Sequence, residues 1–206
     1  MDGHYITSVE ELGKFYDPPS EMVMNKQIDH LDEGCREFLS ASPFFLLATF
    51  GGSGADCSPR GDGPGFVGFE DGGKTLLIPD RAGNNRIDSL RNIVENPNVG
   101  LLFLVPGITY TLRVNGRARL SVEPGLLERF AVKGKTPRSV IAVSVVEAYT
   151  QCARALLRAD LWNPEKLAER EAVPTMGAML AAHTKGGVEA GRYDAFDRGK
   201  LAKNLY

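Results

Sequence analysis

From Phe44 onward, short apolar runs alternate with breaks rich in proline and glycine, a rhythm that predicts a meander of antiparallel strands. Phe44 to Thr49, bounded by Pro43 and Gly51-Gly52, reads as a buried strand. Brief runs follow at about 55–58, 65–69 and 75–79, the last two separated by the turn signal of Glu70 to Gly73. Val99 to Val105 predicts another buried strand. Between Tyr110 and Leu120 the alternation is regular: Tyr110, Leu112, Val114, Ala118 and Leu120 share one face, and Thr111, Arg113, Asn115, Arg117 and Arg119 the other. Ser139 to Val146 is apolar on both faces, as a strand covered by core on one side and by another layer or subunit on the other would be.

Helical spacing is confined to the flanks and one internal segment. Residues 8–15 open with Ser8 and Glu11 in a capping-box pattern and place Val9, Leu12 and Phe15 on one face. A second amphipathic stretch, about Asp29 to Ala41, aligns Leu31, Cys35, Phe38 and Leu39. A third begins at Asn84 or Asn85, carries Ile87, Leu90 and Val94, and stops at Asn96-Pro97. Shorter helices are predicted over about 126–132, over 151–158 with Gln151, Arg154 and Arg158 on one face, and around Thr175 to Thr184. These elements describe a single domain over residues 1–206, with N-terminal helices over about 8–41 and a helical C-terminal extension over about 164–206. The weakly amphipathic stretch from Tyr193 to Tyr206 closes it.

Charge and composition narrow the function classes. Twenty-four basic and 26 acidic side chains leave a formal charge of −2, so no global field favours nucleic acid or an anionic membrane, and anion binding must come from local basic clusters. No apolar run approaches the ~18 residues of a membrane span. The N-terminus has neither a basic nor an apolar export region, so a cytoplasmic location is expected. Cys35, Cys57 and Cys152 are odd in number and widely spaced, and His4, His30 and His183 are scattered, a pattern that predicts neither a disulfide framework nor a metal site.

Three segments have the chemistry of a binding site. The first is Asp80 to Arg86, where an apolar run ends in a polar, glycine-containing turn that opens a helix. Unpaired N–H groups and the dipole there stabilise an anion, and Arg81 and Arg86 supply charge, although the same residues also suit a plain asparagine cap with solvated arginines. The second is Cys57 to Gly65, a strand end entering a glycine-rich turn, either a binding loop with Arg60 facing phosphate or an ordinary connection. The third is the polar face of 110–120 together with the basic face of 151–158. No nucleophile elbow, Walker loop or dinucleotide fingerprint occurs, so an enzyme built on this chain would take its chemistry from a cofactor.

In order along the chain, Ser42 to Thr49, Ser58-Pro59-Arg60-Gly61-Asp62, Ile78 to Arg86, Asn96 to Leu101, Thr111 to Ala118, and Cys152 to Leu156 with Leu161 to Pro164 resemble the pyridoxamine 5′-phosphate oxidase-like, FMN-binding split-barrel family over about residues 28–165. The resemblance implies a mainly β fold with flanking helices: a six-stranded antiparallel split β-barrel that forms a homodimer with cofactor sites at the subunit interface. It implies FMN as cofactor, with Ser58, Arg60, Asn84, Asn85 and Arg86 around the phosphate and Ile78, Pro79 and Asp80 beside the ring. Pro59, Gly61 and Asp62 belong to the same loop, Thr111 and Arg113 reach the flavin, and Gln151, Cys152 and Arg154 approach from the other subunit. An oxidoreductase acting on a small molecule follows. Ser58 to Asp62 replaces the arginine-x-hydrophobic-lysine strand motif of true pyridoxamine phosphate oxidases, and nothing after Trp162 matches their tryptophan and arginine pair, which points away from pyridoxamine phosphate as substrate. The alternatives within reach of the same fold are an F420-dependent reductase, for which Arg113, Arg117 and Arg119 would line a basic channel, and a non-catalytic FMN or haem-binding module.

Overall fold

The computed structural model describes residues 4–200, with side chains to Phe196. Residues 201–206, the end of the expected C-terminal extension, and residues 1–3, part of the expected N-terminus, lie outside the described residues. Seven strands form one antiparallel sheet: β1 (Phe44–Gly51), β2 (Gly54–Gly61), β3 (Gly68–Glu70), β4 (Thr75–Asp80), β5 (Asn98–Leu104), β6 (Thr111–Ser121) and β7 (Ser139–Gln151). Their order is β2-β1-β5-β6-β7-β4-β3, one strand more than the six expected because the short β3 pairs with the first half of β4. The helices are α1 (Val9–Leu12), α2 (Glu21–Asn25), α3 (Glu33–Ala41), α4 (Asp88–Glu95), α5 (Pro124–Arg129), α6 (Arg154–Ala159), α7 (Met176–His183) and α8 (Ala190–Lys200). None of the described helices is long and apolar enough to cross a membrane.

The sheet curls around a core built from the alternating face of each strand: Phe45 and Leu47, Leu76 and Ile78, Leu101 and Phe103, Leu112 and Val114, Ile141 and Val143. Helix α3 plugs it. Asp32 caps that helix by accepting from the Cys35 N–H at 2.8 Å, and Leu31, Cys35 and Leu39 enter the core, as their spacing predicts. Ile28 extends the sheet by an isolated bridge to Ala148, beyond the start of β4. The start of β7 is buried on both faces as expected, with Val140 and Ile141 both inaccessible.

The two ends of the strand order, β2 and β4 with β3, approach each other without a backbone ladder, so the barrel is split. Each strand bordering the split carries a proline, Pro59 in β2 and Pro79 in β4, which removes a ladder donor from it. Side chains close the gap instead. Arg60 of β2 donates from Nη1 to Asp80 Oδ1 of β4 at 2.6 Å, and Arg81 donates from Nε to Asp62 Oδ2 at 2.7 Å.

Several local expectations are corrected. Helix α1 keeps its cap, Ser8 Oγ accepting from the Glu11 N–H, but Val9 and Phe15 are exposed because nothing in the barrel reaches that short turn. Helix α4 buries Ser89, Asn92 and Ile93; of the expected Ile87, Leu90 and Val94 face only Leu90 packs against the core, and Val94 is 75% exposed. The physical reason is a polar anchor: Asn92 Nδ2 donates to the buried Thr49 Oγ1 at 3.0 Å, which holds the Asn92 face inward and leaves Ile87 and Val94 exposed. In β6, Thr111 is buried and Tyr110 half-exposed, the reverse of the expected alternation at that end.

Candidate functional site

The split between β2 and β4 opens into a cleft of ≈ 580 Å³, within the size range of cofactor sites. β2 contributes Asp56, Ser58 and Arg60, every second residue of the strand, and the turn from Arg81 to Ile87 forms the opposite rim. Phe66, Pro79 and Leu90 supply apolar wall. Arg60 donates to Asp80, yet its Nε is shut off from solvent with no acceptor, an unsatisfied donor inside the site. Asp56 Oδ2 accepts from Ser89 Oγ at 2.7 Å and from Ser58 Oγ at 2.9 Å, tying β2 to the first turn of α4. The Ser89 hydroxyl, with that of Ser58, holds the Asp56 carboxyl below the usual carboxylate range.

The Arg81–Ile87 turn differs from the expected helix cap. Asn85 sits in the left-handed region at φ 62°, and Asn84 Oδ1 accepts from the Arg86 N–H at 2.9 Å. Neither asparagine caps α4, which begins at Asp88 behind Ile87, where no side chain caps the helix. An N-cap needs an extended backbone and a free side-chain oxygen, and here Asn85 lacks the first and Asn84 the second. Asn85 Oδ1 instead accepts from Nη1 of Arg138 at 2.6 Å, and Arg86 Nε donates to Asp88 Oδ2 at 2.5 Å in solvent. Sequence reasoning does not single out Arg138, Asp56 or Ser89: Arg138 lies far along the chain from the other cleft residues, and Asp56 and Ser89, although within three residues of Ser58 and Arg86, carry no charge that would attract an anion. Arg138 follows Pro137 at the root of β7, and that Pro-Arg entry to a strand is the one local signal that could have drawn notice.

The expected site residues fall into two sets. Ser58, Pro59, Arg60, Gly61, Pro79, Asp80, Asn84, Asn85 and Arg86 line the cleft together. Asp62 borders it through its ion pair with Arg81. The Ile78 side chain is wholly buried in the core, which leaves only its backbone groups to meet a ligand. Thr111, Arg113, Gln151, Cys152 and Arg154 lie elsewhere: Asp80 pairs with Ser139 at one end of β7 and Thr111 with Gln151 at the other. Thirteen residues of strand separate the ends, roughly 40 Å at ~3.3 Å per residue. One chain therefore does not bring the two sets together. Gln151 is the last residue of β7 rather than the start of a helix, so the shared helical face with Arg154 and Arg158 does not form; the sheet pairing to Thr111 wins over the helical spacing. At this far end Arg113 and Lys26 both lie over the Tyr149 ring, 5.9 Å and 5.4 Å from its centre, and Gln151 Oε1 is buried without a donor.

The family model described as pyridoxamine 5′-phosphate oxidase matches residues 31–152, from the residue preceding the α3 cap to just past β7. No curated protein matches the chain. Among solved structures, HupZ of Group A Streptococcus is 17% identical, with 58% of this chain and 92% of that chain covered at a TM-score of 0.46. General Stress Protein 26 of Bacillus anthracis is 17% identical over 56% of this chain and 92% of that one, TM-score 0.40. A protein of Clostridium acetobutylicum related to General Stress Protein 26 of B. subtilis and described with the pyridoxinephosphate oxidase family is 13% identical over 57% and 85%, TM-score 0.42.

Proposed function

We propose, from the premise that this chain belongs to the pyridoxamine 5′-phosphate oxidase family, that it is an FMN-binding oxidoreductase that acts on a small molecule as a homodimer. The observation that carries the reading is the meeting, across the split, of β2 and the Asp80–Arg86 turn, two segments at opposite ends of the strand order, in one cleft of cofactor size. The residues present suit the group. Arg60 has an unsatisfied N–H, Asn84 and Arg86 stand at the rim, and Phe66 and Pro79 offer flat apolar contact for a ring. Bound FMN would supply the reversible two-electron chemistry that no side chain here provides. The protein's part is to hold the phosphate, exclude water from the apolar wall and stabilise charge at the ring's polar edge.

A second copy of the chain accounts for the other set of residues. Phe44, Leu46, Ala48 and Phe50 of β1 and Leu102 and Leu104 of β5 share the outward face of the sheet; Phe50 is 57% exposed. That apolar strip lies between the cleft strand β2 and the Thr111–Gln151 end of β6 and β7. Packing two such faces together would bring Thr111, Arg113, Gln151, Cys152 and Arg154 of one copy toward the cleft of the other and shield the strip. Replacement of the arginine-x-hydrophobic-lysine motif by Ser58 to Asp62 supports a substrate other than pyridoxamine phosphate.

The absorption spectrum of the purified protein, before and after reconstitution with FMN, tests the reading. Flavin bands that bleach with NADH or NADPH, from a species of twice the chain mass in sedimentation, are the expected result. Leu46→Glu should yield monomers that hold FMN poorly. A protein that takes up F420 or haem in preference to FMN refutes it.

A further inference from the structure

Four arginines line the cleft, and they are not equivalent. Arg60 is compensated by Asp80 at 2.6 Å, Arg81 by Asp62 at 2.7 Å and Arg86 by Asp88 at 2.5 Å. Arg138 faces no carboxylate within ion-pair distance among the described residues; its one side-chain bond is from Nη1 to the neutral Oδ1 of Asn85, at 2.6 Å. A guanidinium has five N–H donors, so most of this one's hydrogen-bonding capacity and all of its charge are uncommitted.

Its root is fixed although its head is exposed. Pro137 is buried, the Arg138 N–H donates to the Asp80 carbonyl at 3.3 Å, and Ser139 pairs with Asp80 in the sheet. The head is delivered to the left-handed Asn85, the centre of the Asn84–Arg86 turn. The Arg138 backbone is thus set by the strand at the split, and its charge is set down at the rim of the cleft.

We propose that Arg138 is the principal anchor for the anionic group of the ligand in this cleft, ahead of Arg60 and Arg86. That this anion is the phosphate of FMN rests on the function proposed above; that the cleft takes an anion at Arg138 does not. The charge of Arg60 is already compensated by Asp80 in a half-buried ion pair that also closes the barrel, its unpartnered Nε–H is shut off from solvent, and engaging Arg86 means competing with Asp88. Arg138 has only to share its donors with Asn85. Asn85 is then a positioning residue: it presents the guanidinium without neutralising it.

The test uses the full-length protein and three probes: FMN, riboflavin, which lacks the phosphate, and inorganic phosphate followed by calorimetry. The wild type should bind FMN well ahead of riboflavin. Arg138→Gln keeps an N–H for Asn85 but loses the charge; it should weaken FMN and inorganic phosphate by about tenfold or more and leave riboflavin unchanged. Arg138→Lys keeps the charge and should restore most of the FMN preference, whereas a merely structural role would be better served by Gln. Arg60→Gln should change the FMN-to-riboflavin ratio less than Arg138→Gln does. Equal losses of FMN and riboflavin in Arg138→Gln, an unchanged ratio, or a larger effect of Arg60→Gln on that ratio would each overturn the assignment. If the wild type takes no flavin but binds inorganic phosphate through Arg138, the cofactor reading fails and the anchor stands; if inorganic phosphate does not bind either, the anchor fails with it.

Discussion

The ion pair between Arg60 and Asp80 should behave as a structural clasp, and its contribution can be worked from its surroundings. It spans the split where no backbone ladder joins β2 to β4, and its side chains are 21% and 14% exposed. At an effective dielectric of about 20 and ~4 Å between charge centres the attraction is about 4 kcal/mol, and desolvation of two partly buried ions offsets part of it. Exposed pairs contribute about 0–1 kcal/mol and loss of one partner from a fully buried pair costs about 3–5, so about 2 kcal/mol is the value for this intermediate burial. Asp80→Asn and Arg60→Met should each destabilise by about that amount and the double variant by little more, giving a coupling near 2 kcal/mol in a double-mutant cycle. Urea unfolding at one fixed protein concentration measures it, since an oligomer's apparent stability depends on concentration. For a chain of this length the thermal midpoint should fall by about 4–8 °C in each single variant. Additivity of the two substitutions to within about 0.5 kcal/mol would show that the pair does not hold the split closed.

Three further outcomes follow from the same geometry. Gly116 lies at the register shift between β6 and β7, where an added Cβ would come 2.3 Å from the Ser144 carbonyl oxygen; Gly116→Ala should cost about 2–3 kcal/mol in urea unfolding, whereas Gly63→Ala, with nothing within 4 Å, should be close to neutral. Burial, with the Asp32 carboxylate, pushes the Cys35 thiol up to about 12, so in the Leu46→Glu variant, whose sheet face is left uncovered, iodoacetamide at mildly alkaline pH should modify the exposed Cys57 and Cys152 and spare Cys35 until the protein unfolds, as peptide mapping would read. Asp56 has its folded pKa depressed, chiefly by Ser89, so its contribution to stability is present above its ordinary value of 3.8 and is lost as pH falls through the lower folded value. Ser89→Ala should move the Asp56 carboxyl titration back toward the ordinary value in an NMR pH series and flatten this acid-dependent loss, and an unmoved titration would refute the assignment.

Much of the fold was legible because its determinants are local. Alternation along β6, the apolar runs of β1 and β5, and the Asp32 cap with Leu31, Cys35 and Leu39 are all set within a few residues of one another. The family, too, is carried by the order of such segments, and the model match over residues 31–152 agrees with it. Where local reasoning failed, a distant partner had intervened. Helix α4 is held with Asn92 inward by Thr49, 43 residues upstream, which leaves Ile87 and Val94 exposed and only Leu90 of the expected face on the core. The end of β7 was kept extended through Gln151 by its pairing with Thr111.

The candidate site divides along the same line. That Arg60, Arg81 and Arg86, with Asn84 beside them, have anion-binding chemistry follows from residue type and spacing alone. Which arginine retains an uncompensated charge does not, because the ion pair that compensates Arg60 reaches Asp80 across 20 residues and Arg138 is brought to the neutral Asn85 from 53 residues away. The sequence by itself determined the strands, the core faces and the polar turn, since hydrophobic periodicity and backbone preference act over a few bonds. Only the tertiary structure decided where the barrel splits, which arginines close it and which one is left to face a ligand, because charges pair by distance in space and not along the chain.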